Sequence, residues 1–311
     1  MVSLPKGLMV GKIFLFLAVA MLIICCAGNN GDQSAEGNDK QYLIGLAISM
    51  SSDTQFFISL QAGVEESAAQ FNVDILTMYA NEDPVVQSEQ IIQMADSGID
   101  ALLLNPVCDS VIPAVEEVSR RGIPVLTIDR NIHSSFAICH IASDNFAGGR
   151  MAGDYLVDAL HRKGRIVEIT GTEGSSAAFE RGQGFREAIS NYADIHIVST
   201  ICAEFSRDLA REEFRSLLEE DSDIDGVFAH NDDMILGAME AARQVSSDGI
   251  LFVGFDAIDE AINAVENGDL LATVAQRPTE MGRLGMETAI EYLSGKEIPD
   301  SIIVDLALIL R

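Results

Sequence analysis

The sequence predicts an α/β protein made of two doubly wound parallel-sheet lobes that follow one another in the chain. Short, continuously apolar segments alternate with longer segments whose apolar residues recur at helical spacing, a pattern typical of a parallel sheet covered by helices on both faces. The alternation pauses near residues 141–143 and then restarts. A length of 311 residues suits two lobes of ordinary domain size better than one core.

The first lobe is predicted to begin with a buried strand at residues 43–48, which are continuously apolar. Residues 57–72 carry apolar side chains at helical spacing, including Phe57, Leu60 and Val64. The same alternation predicts strands at 73–77, 101–104 and 124–128, with helices at 85–97 and 111–120.

The second lobe is predicted from the same alternation after the pause. It begins with a helix at 145–161, a strand at 165–169 and a helix at 177–191. Further strands are predicted at 195–198, 226–229, 251–255 and 272–275, separated by helices that begin at Arg207, Met234 and Glu260. Two such units leave a cleft between them, and ligands of these sheets bind beyond the carboxyl ends of the strands.

Residues 1–26 are typical of an export signal. Lysines precede an apolar run at 13–24 that is short for a membrane span, and the run ends at Cys25 and Cys26. Residues 27–40 are polar, as expected of a flexible tether. The junction resembles the lipobox of bacterial lipoproteins, with Cys25 or Cys26 lipidated. An ordinary cleaved secretory signal is the alternative, and both place the protein in the periplasm or cell envelope.

The charge balance argues against nucleic acid as a partner. The chain has 20 Lys and Arg against 48 Asp and Glu, a formal net charge of −28. A chain this acidic repels phosphate backbones and anionic lipid headgroups. Contact with a membrane is therefore expected only through a lipid anchor.

The other cysteines, Cys108, Cys139 and Cys202, show no Cys-x-x-Cys spacing. This arrangement predicts neither a zinc site nor a disulfide framework, and buried free thiols are the expected state, with one incidental bridge as the alternative. The histidines show no metal-ligand spacing, so no metal or other cofactor is expected.

Single polar or aromatic residues follow the ends of the predicted strands. The candidate ligand-binding residues are Thr54, Phe56, Phe57, Asn105, Asp129, Arg130, Arg181, Phe205, Asn231, Asp256 and Gln276. They converge if the two lobes face one another. The alternative for each is that it caps a helix or lines a loop.

The chemistry of this set suits a neutral polyol. Aromatic rings offer apolar faces to the C–H groups of a sugar, and amide side chains carry both a donor and an acceptor for hydroxyl groups. Two arginines balance two aspartates, so a charged ligand is not needed to neutralise the site.

Several ordered motifs carry a resemblance to a known family. They are Gln55-Phe56-Phe57, Leu104-Asn105-Pro106, Thr127-Ile128-Asp129-Arg130, His140-Ile141-Ala142-Ser143-Asp144-Asn145, the segment 148–154, the segment 176–182, Ala229-His230-Asn231-Asp232 and Val253-Gly254-Phe255-Asp256. From about Tyr42 to the C terminus, the chain resembles the ribose-binding branch of the periplasmic sugar-binding proteins.

The resemblance implies the same site residues. Phe56 and Phe57 would stack on the sugar, and the remaining polar candidates would bind its hydroxyl groups. Two positions depart from the family pattern. Thr54-Gln55 stands where asparagine and proline are usual, and Phe179 stands where a polar residue is frequent, so the identity of the sugar stays open among ribose, allose, xylose, an inositol and a ribose-like furanose.

The resemblance also implies the domain organisation and the partners. The N-terminal lobe would comprise residues 41–143 plus 277–305, and the C-terminal lobe 144–276 plus 306–311. Three crossings would form a hinge that closes around the sugar, and the closed form would dock on the membrane permease subunits of an ABC-type importer. A sensor role that serves a chemoreceptor is an alternative.

Two other classes of function are disfavoured. The glycine-rich segments 171–174 and 182–184 do not match dinucleotide or phosphate loops, and adjacent acids such as Glu65-Glu66 suit a solvated helix face, so an enzyme is not expected. A sugar-responsive transcription regulator shares this fold but needs an N-terminal helix-turn-helix and a basic face. Here residues 1–26 are typical of an export signal and the chain is strongly acidic, so a regulator is not expected.

Overall fold

The computed structural model describes residues 41–311. The predicted signal region at 1–26, the tether at 27–40 and the candidate lipidation sites Cys25 and Cys26 lie outside the described residues. Among residues 41–311, no helix is long and apolar enough to cross a membrane.

The first sheet has six strands in the order β11-β5-β4-β3-β1-β2, and all of its strand pairs are parallel. Its strands are β1 (Leu43–Ile48), β2 (Asp74–Tyr79), β3 (Ala101–Leu104), β4 (Val125–Ile128), β5 (Ala137–Ser143) and β11 (Ser301–Val304). Every residue of β3 and β4 is buried, as expected for central strands that are covered on both faces.

The second sheet also has six strands, in the order β12-β10-β9-β8-β6-β7. Its strands are β6 (Gly164–Thr170), β7 (Ile195–Cys202), β8 (Gly226–Ala229), β9 (Leu251–Asp256), β10 (Ala272–Ala275) and β12 (Ala307–Ile309). Only the edge strand β12 runs antiparallel to its neighbour among the described strands.

Helices cover both faces of each sheet, and each face has its own apolar core. The helices of the first lobe are α1 (Gln55–Phe71), α2 (Pro84–Asp96), α3 (Ile112–Arg120) and α9 (Pro278–Leu293). Those of the second lobe are α4 (Asn145–Ala159), α5 (Ser176–Ile189), α6 (Arg207–Glu220), α7 (Asp232–Val245) and α8 (Asp259–Asn267).

The predicted fold class is confirmed: the chain forms two α/β lobes, and it passes between the two sheets three times. These passages follow Ser143, follow Ala275 and lie between Val304 and Ala307. Because parallel strands of one sheet end at the same edge, this topology brings the carboxyl edges of both sheets to one cleft.

Within residues 41–311, the sequence pattern did not predict β5, α9, β11 and β12. Strand β5 includes Cys139, His140 and Ser143, which interrupt the apolar run that marks the other strands. Helix α9 contains Gly282 and Gly285, and glycine weakens a helical pattern. Strands β11 and β12 lie at the edges of their sheets and are partly exposed, so they lack the continuous burial of the central strands.

Candidate ligand-binding site

A cavity of about 330 Å³ lies between the carboxyl edges of the two sheets. All of the predicted site residues except Asn105 line it. They are Thr54, Phe56, Phe57, Asp129, Arg130, Arg181, Phe205, Asn231, Asp256 and Gln276, joined by Met50 and Ala177, which sequence reasoning missed. The cavity is small, which suits a single small ligand.

Aromatic rings form the apolar walls of the cavity. Phe56 and Phe57, in the first turn of α1, meet edge to face with ring centroids 5.0 Å apart. Phe205 comes from the second lobe, and the guanidinium of Arg130 lies 4.6 Å from the centroid of its ring. The Arg130 charge thus faces an aromatic ring from the opposite lobe, an arrangement that favours a fixed side chain.

Arg181 is a buried cation that several partners hold in place. Its side chain donates to Asn145 Oδ1 (2.8 Å) and to the His230 carbonyl oxygen (2.6 Å), and its Nη1 lies 3.6 Å from Asp256 Oδ1. Its guanidinium also lies 3.9 Å from the centroid of the Phe255 ring. Burial lowers the pKa of Arg181, while the Asp256 carboxylate opposes this effect. An arginine held this way is a rigid fork of donors.

Asp256 and Gln276 form the acceptor side of the site. Gln276 Nε2 donates to Asp256 Oδ1 (2.8 Å), and the buried Gln276 Oε1 has no hydrogen-bond partner within residues 41–311. Burial raises the pKa of Asp256 to about 7, although Arg181 acts in the opposite direction. Because an unpaired buried acceptor is costly, Gln276 Oε1 is suited to accept a hydrogen bond from a ligand hydroxyl.

Asn105 lies behind the cavity and supports Asp129. Its Nδ2 donates to Asp129 Oδ2 (2.9 Å), and its Oδ1 accepts from the hydroxyl of Ser49 (2.6 Å). The pKa of Asp129 is raised by burial and lowered in part by Arg181 and Arg130. Asn105 therefore orients Asp129 and does not face the cavity.

Asn231 combines the two roles that the sequence left open. Its Oδ1 accepts from the backbone N–H of Met234 (3.0 Å) and caps the N terminus of α7, while the residue also lines the cavity. Its Nδ2 makes a longer bond to the Phe205 carbonyl oxygen (3.4 Å). The Oδ1 atom of Asn231 is therefore occupied by the helix cap, and its Nδ2 group is the part of the side chain that can donate to a ligand.

Three cavity residues have a left-handed backbone that glycine would adopt more easily. Their φ angles are 62° at Asp129, 60° at Phe205 and 118° at Asp256. Such conformations cost about 1–3 kcal/mol each and persist only where the surrounding structure holds them. Residue identity alone does not indicate them, because none of the three is glycine.

Phe179 does not line the cavity. Its side chain is 58% exposed and borders a separate depression beside α5. Of the two departures from the family pattern, Thr54 is therefore the one that lies in the cavity.

The two lobes touch directly across the cleft. The backbone N–H of Asn131 donates to Ser176 Oγ (2.7 Å), and Thr172 Oγ1 donates to Glu82 Oε2 (2.8 Å). The structure is therefore a closed form. Glu82, which pairs with Arg130 at 2.9 Å, was missed in the sequence although it follows the end of β2.

Glu82 also corrects the charge count made from the sequence. Two arginines face three carboxylates, those of Asp129, Asp256 and Glu82, instead of two. The site is neutral only when one carboxyl is protonated, and the raised pKa of Asp256 makes it the candidate. The cleft has no surplus cation for an anionic ligand.

The described residues offer no group of three or more His, Cys, Asp or Glu that could hold a metal ion. Cys108, Cys139 and Cys202 are free thiols in residues 41–311, but only Cys139 is buried as expected; Cys108 is partly exposed and Cys202, at the end of the edge strand β7, is exposed. Burial raises the pKa of the Cys139 thiol to about 11, which keeps it protonated and unreactive.

Comparison with known proteins gives concordant matches. Residues 44–297 match the family described as periplasmic binding protein domain. The chain is 37% identical over 278 residues to the ribose import binding protein RbsB of Bacillus subtilis, covering 88% of this chain and 89% of that protein. It is 34% identical over 281 residues to RbsB of Haemophilus influenzae, covering 86% and 96%.

Among solved structures, the fructose binding periplasmic domain of a hybrid two component system superposes with a TM-score of 0.83 at 32% identity. The superposition covers 87% of this chain and 91% of that one. The similarity therefore extends over both lobes and the cleft between them.

Proposed function

The chain belongs to the periplasmic binding protein domain family, and from this we propose that it is the substrate-binding component of a bacterial ABC-type sugar importer. Its ligand would be ribose or a related neutral monosaccharide. The observation that carries the proposal is the convergence of residues from both lobes on one small cavity with aromatic walls and paired donors and acceptors. The ribose relatives are import proteins, which favours transport over a sensor role.

In this proposal, the aromatic residues cover the apolar faces of the sugar. Arg130, Arg181 and Asn231 donate to its oxygens, and Asp129, Asp256 and Gln276 accept from its hydroxyl groups. Thr54 adds one hydroxyl, and Asn105 acts through Asp129. The chain binds and releases its ligand unchanged, as expected of relatives that are binding proteins rather than enzymes.

We assign residues 41–143 plus 277–305 to one lobe and 144–276 plus 306–311 to the other, with a hinge at the three crossings. Closure around the sugar creates the shape that ABC permease subunits recognise. The location that follows is the periplasm or cell envelope, with a lipid at Cys25 or Cys26 as the proposed anchor.

Calorimetric titration with neutral sugars, ribose first, tests the function. The purified protein is unfolded and refolded beforehand to remove any sugar carried over from the cells. We expect a Kd at or below the micromolar range, about −8 kcal/mol.

Tight binding of another pentose, hexose or polyol, with no binding of ribose, would keep the mechanism and place the change in specificity at Thr54. Absence of heat with every neutral sugar would refute the proposal.

A cross-lobe disulfide tests closure. A Cβ atom at Gly174 would lie 3.3 Å from the Cβ atom of Cys108 in the opposite lobe, a few tenths of an ångström closer than the range of about 3.5–4.5 Å between Cβ atoms of a disulfide, so a small outward shift permits the bond. We expect Gly174→Cys to form a disulfide with Cys108 in mild oxidant, faster with sugar than without, and to slow sugar release strongly.

Because Gly174 has a φ of 81°, the substitution carries some backbone strain. Gly174→Ala carries the same strain without the thiol and controls for it. Equal rates of disulfide formation with and without sugar would contradict closure.

The ligand-free closed form is expected to become more populated as the pH falls. Burial in the closed cleft raises the pKa of Asp256 from 3.8 to about 7, and an open cleft hydrates this carboxyl. The closed form therefore binds more protons between those values. The closed-to-open ratio should increase by about tenfold from pH 8 to pH 6.

Energy transfer between fluorophores on the two lobes measures this ratio. Asp129 contributes in the same direction because burial raises its pKa too, so Asp256→Asn should remove most of the pH dependence rather than all of it. A closed fraction that grows with rising pH would contradict the assignment.

A further inference from the structure

Glu82 lies outside the ligand cavity, in the loop between β2 and α2. It has a left-handed backbone with a φ of 60°, as does Asn81 before it with a φ of 51°. Its backbone N–H donates to the Ser49 carbonyl oxygen (2.6 Å), which ties the loop to the end of β1. A bulky acidic residue in this conformation is strained, and the loop presents its carboxylate to the cleft.

The Glu82 carboxylate contacts both lobes. Its Oε1 lies 2.9 Å from Arg130 Nη1 in the same lobe. Its Oε2 accepts from Thr172 Oγ1 (2.8 Å), which belongs to the loop between β6 and α5 in the opposite lobe. The Glu82 side chain is only 18% exposed, and that of Arg130 is 4% exposed, so the pair is shielded from water.

Arg130 itself bridges the cavity. It lines the ligand site and faces the Phe205 ring across the cleft. One carboxylate therefore orients a cavity arginine and at the same time receives a hydrogen bond that exists only when the lobes meet. A hydrogen bond to a charged acceptor is stronger than one between neutral groups, which makes Thr172 a meaningful partner.

We propose that Glu82 is a positioning residue that couples the orientation of Arg130 to closure of the cleft through Thr172. The inference rests on the proposed sugar-binding function and adds a contact that holds the closed form without touching the sugar. Loss of the hydrogen bond between Thr172 and Glu82 should mainly increase the rate of sugar dissociation, because the open form that the sugar enters lacks this hydrogen bond.

Two double-mutant cycles test this coupling by stopped-flow measurement of sugar association and dissociation. Thr172→Val removes the hydroxyl and keeps the shape, and Glu82→Ala removes the carboxylate. The matched control is Ser176→Ala, which breaks the other hydrogen bond across the cleft, that from the N–H of Asn131. Thermal unfolding without sugar verifies that each variant is folded.

We expect Thr172→Val to increase the dissociation rate constant about tenfold and to leave the association rate constant within about twofold. In the Glu82→Ala background Thr172→Val should have no further effect, whereas Ser176→Ala should keep its full effect. The proposal is overturned if Thr172→Val leaves the dissociation rate unchanged, or if its effect is equal in the wild-type and Glu82→Ala backgrounds. It is also overturned if Ser176→Ala loses its effect in the Glu82→Ala background.

A ligand-free measurement separates this inference from the proposed function. If the wild-type protein binds no sugar, the function fails, and the closed fraction is then measured by energy transfer between the lobes. The coupling is supported if Thr172→Val lowers the closed fraction of the wild-type protein but does not lower the closed fraction of the Glu82→Ala protein. An unchanged fraction refutes it.

Discussion

Replacement of Arg181 by methionine is expected to lower sugar affinity by about a thousandfold. The side chain is nearly fully buried, and methionine fills a similar volume without its charge. Removal of the guanidinium takes away the positive charge 3.6 Å from Asp256 and favours the protonated form of that carboxyl, and it removes the donors that the proposed site offers to a ligand oxygen. Both effects act in the same direction on binding.

Two further variants define the cause. Arg181→Lys keeps the charge but loses the planar fork that reaches Asn145 and His230 together, so we expect an intermediate loss of affinity. Arg120→Met removes an exposed arginine on α3, 58% accessible, and should bind sugar like wild type. Calorimetry gives the affinities, and thermal unfolding shows whether each variant is folded. Wild-type affinity in a folded Arg181→Met protein would contradict the assignment.

The site residues could be predicted because parallel strands deliver their carboxyl ends to one edge. Asp129 follows β4 directly and Asp256 is the last residue of β9, and these positions are visible in the sequence. Their left-handed backbone is not visible, because it results from contacts made in the folded protein. Asn105 has the same sequence signature, yet its side chain is used to orient Asp129.

Contacts across the cleft could not be predicted. Glu82 and Thr172 are 90 positions apart in the chain and belong to different lobes. Their meeting depends on how far the hinge closes, and no local pattern encodes that. The charge balance that the sequence predicts for the cleft omits Glu82 for the same reason, since Glu82 joins the site through its contact with Arg130.

Close packing of helices on glycine is a further feature that the pattern of apolar residues does not show. In the first lobe, α1 packs against α9, which the sequence pattern left unpredicted. A Cβ atom at Gly63 would lie 2.0 Å from the Thr279 carbonyl oxygen, and one at Gly282 would lie 2.0 Å from the Leu60 carbonyl oxygen. The second lobe repeats the arrangement, because a Cβ atom at Gly184 of α5 would lie 1.9 Å from the Phe146 carbonyl oxygen of α4.

We therefore expect Gly282→Ala to lower the free energy of unfolding by about 3 kcal/mol, because a methyl group would meet backbone that cannot rotate away. The helices must separate, and α1 carries Phe56 and Phe57 at its first turn while α9 begins just after Gln276. Sugar affinity should fall together with stability, since both helices position cavity residues. Urea unfolding and calorimetry measure the two quantities.

Gly285→Ala, one turn further along α9, is the matched control for helix propensity. Its Cβ atom would meet only the flexible end of Ile128, at 3.1 Å, and side chains of Leu103 beyond. Alanine favours a helix interior by about 1 kcal/mol over glycine, so this variant should be close to wild type in stability. Equal stability of Gly282→Ala and Gly285→Ala would contradict this prediction. It would mean that the close approach of α1 and α9 does not limit their packing and does not position Phe56 and Phe57.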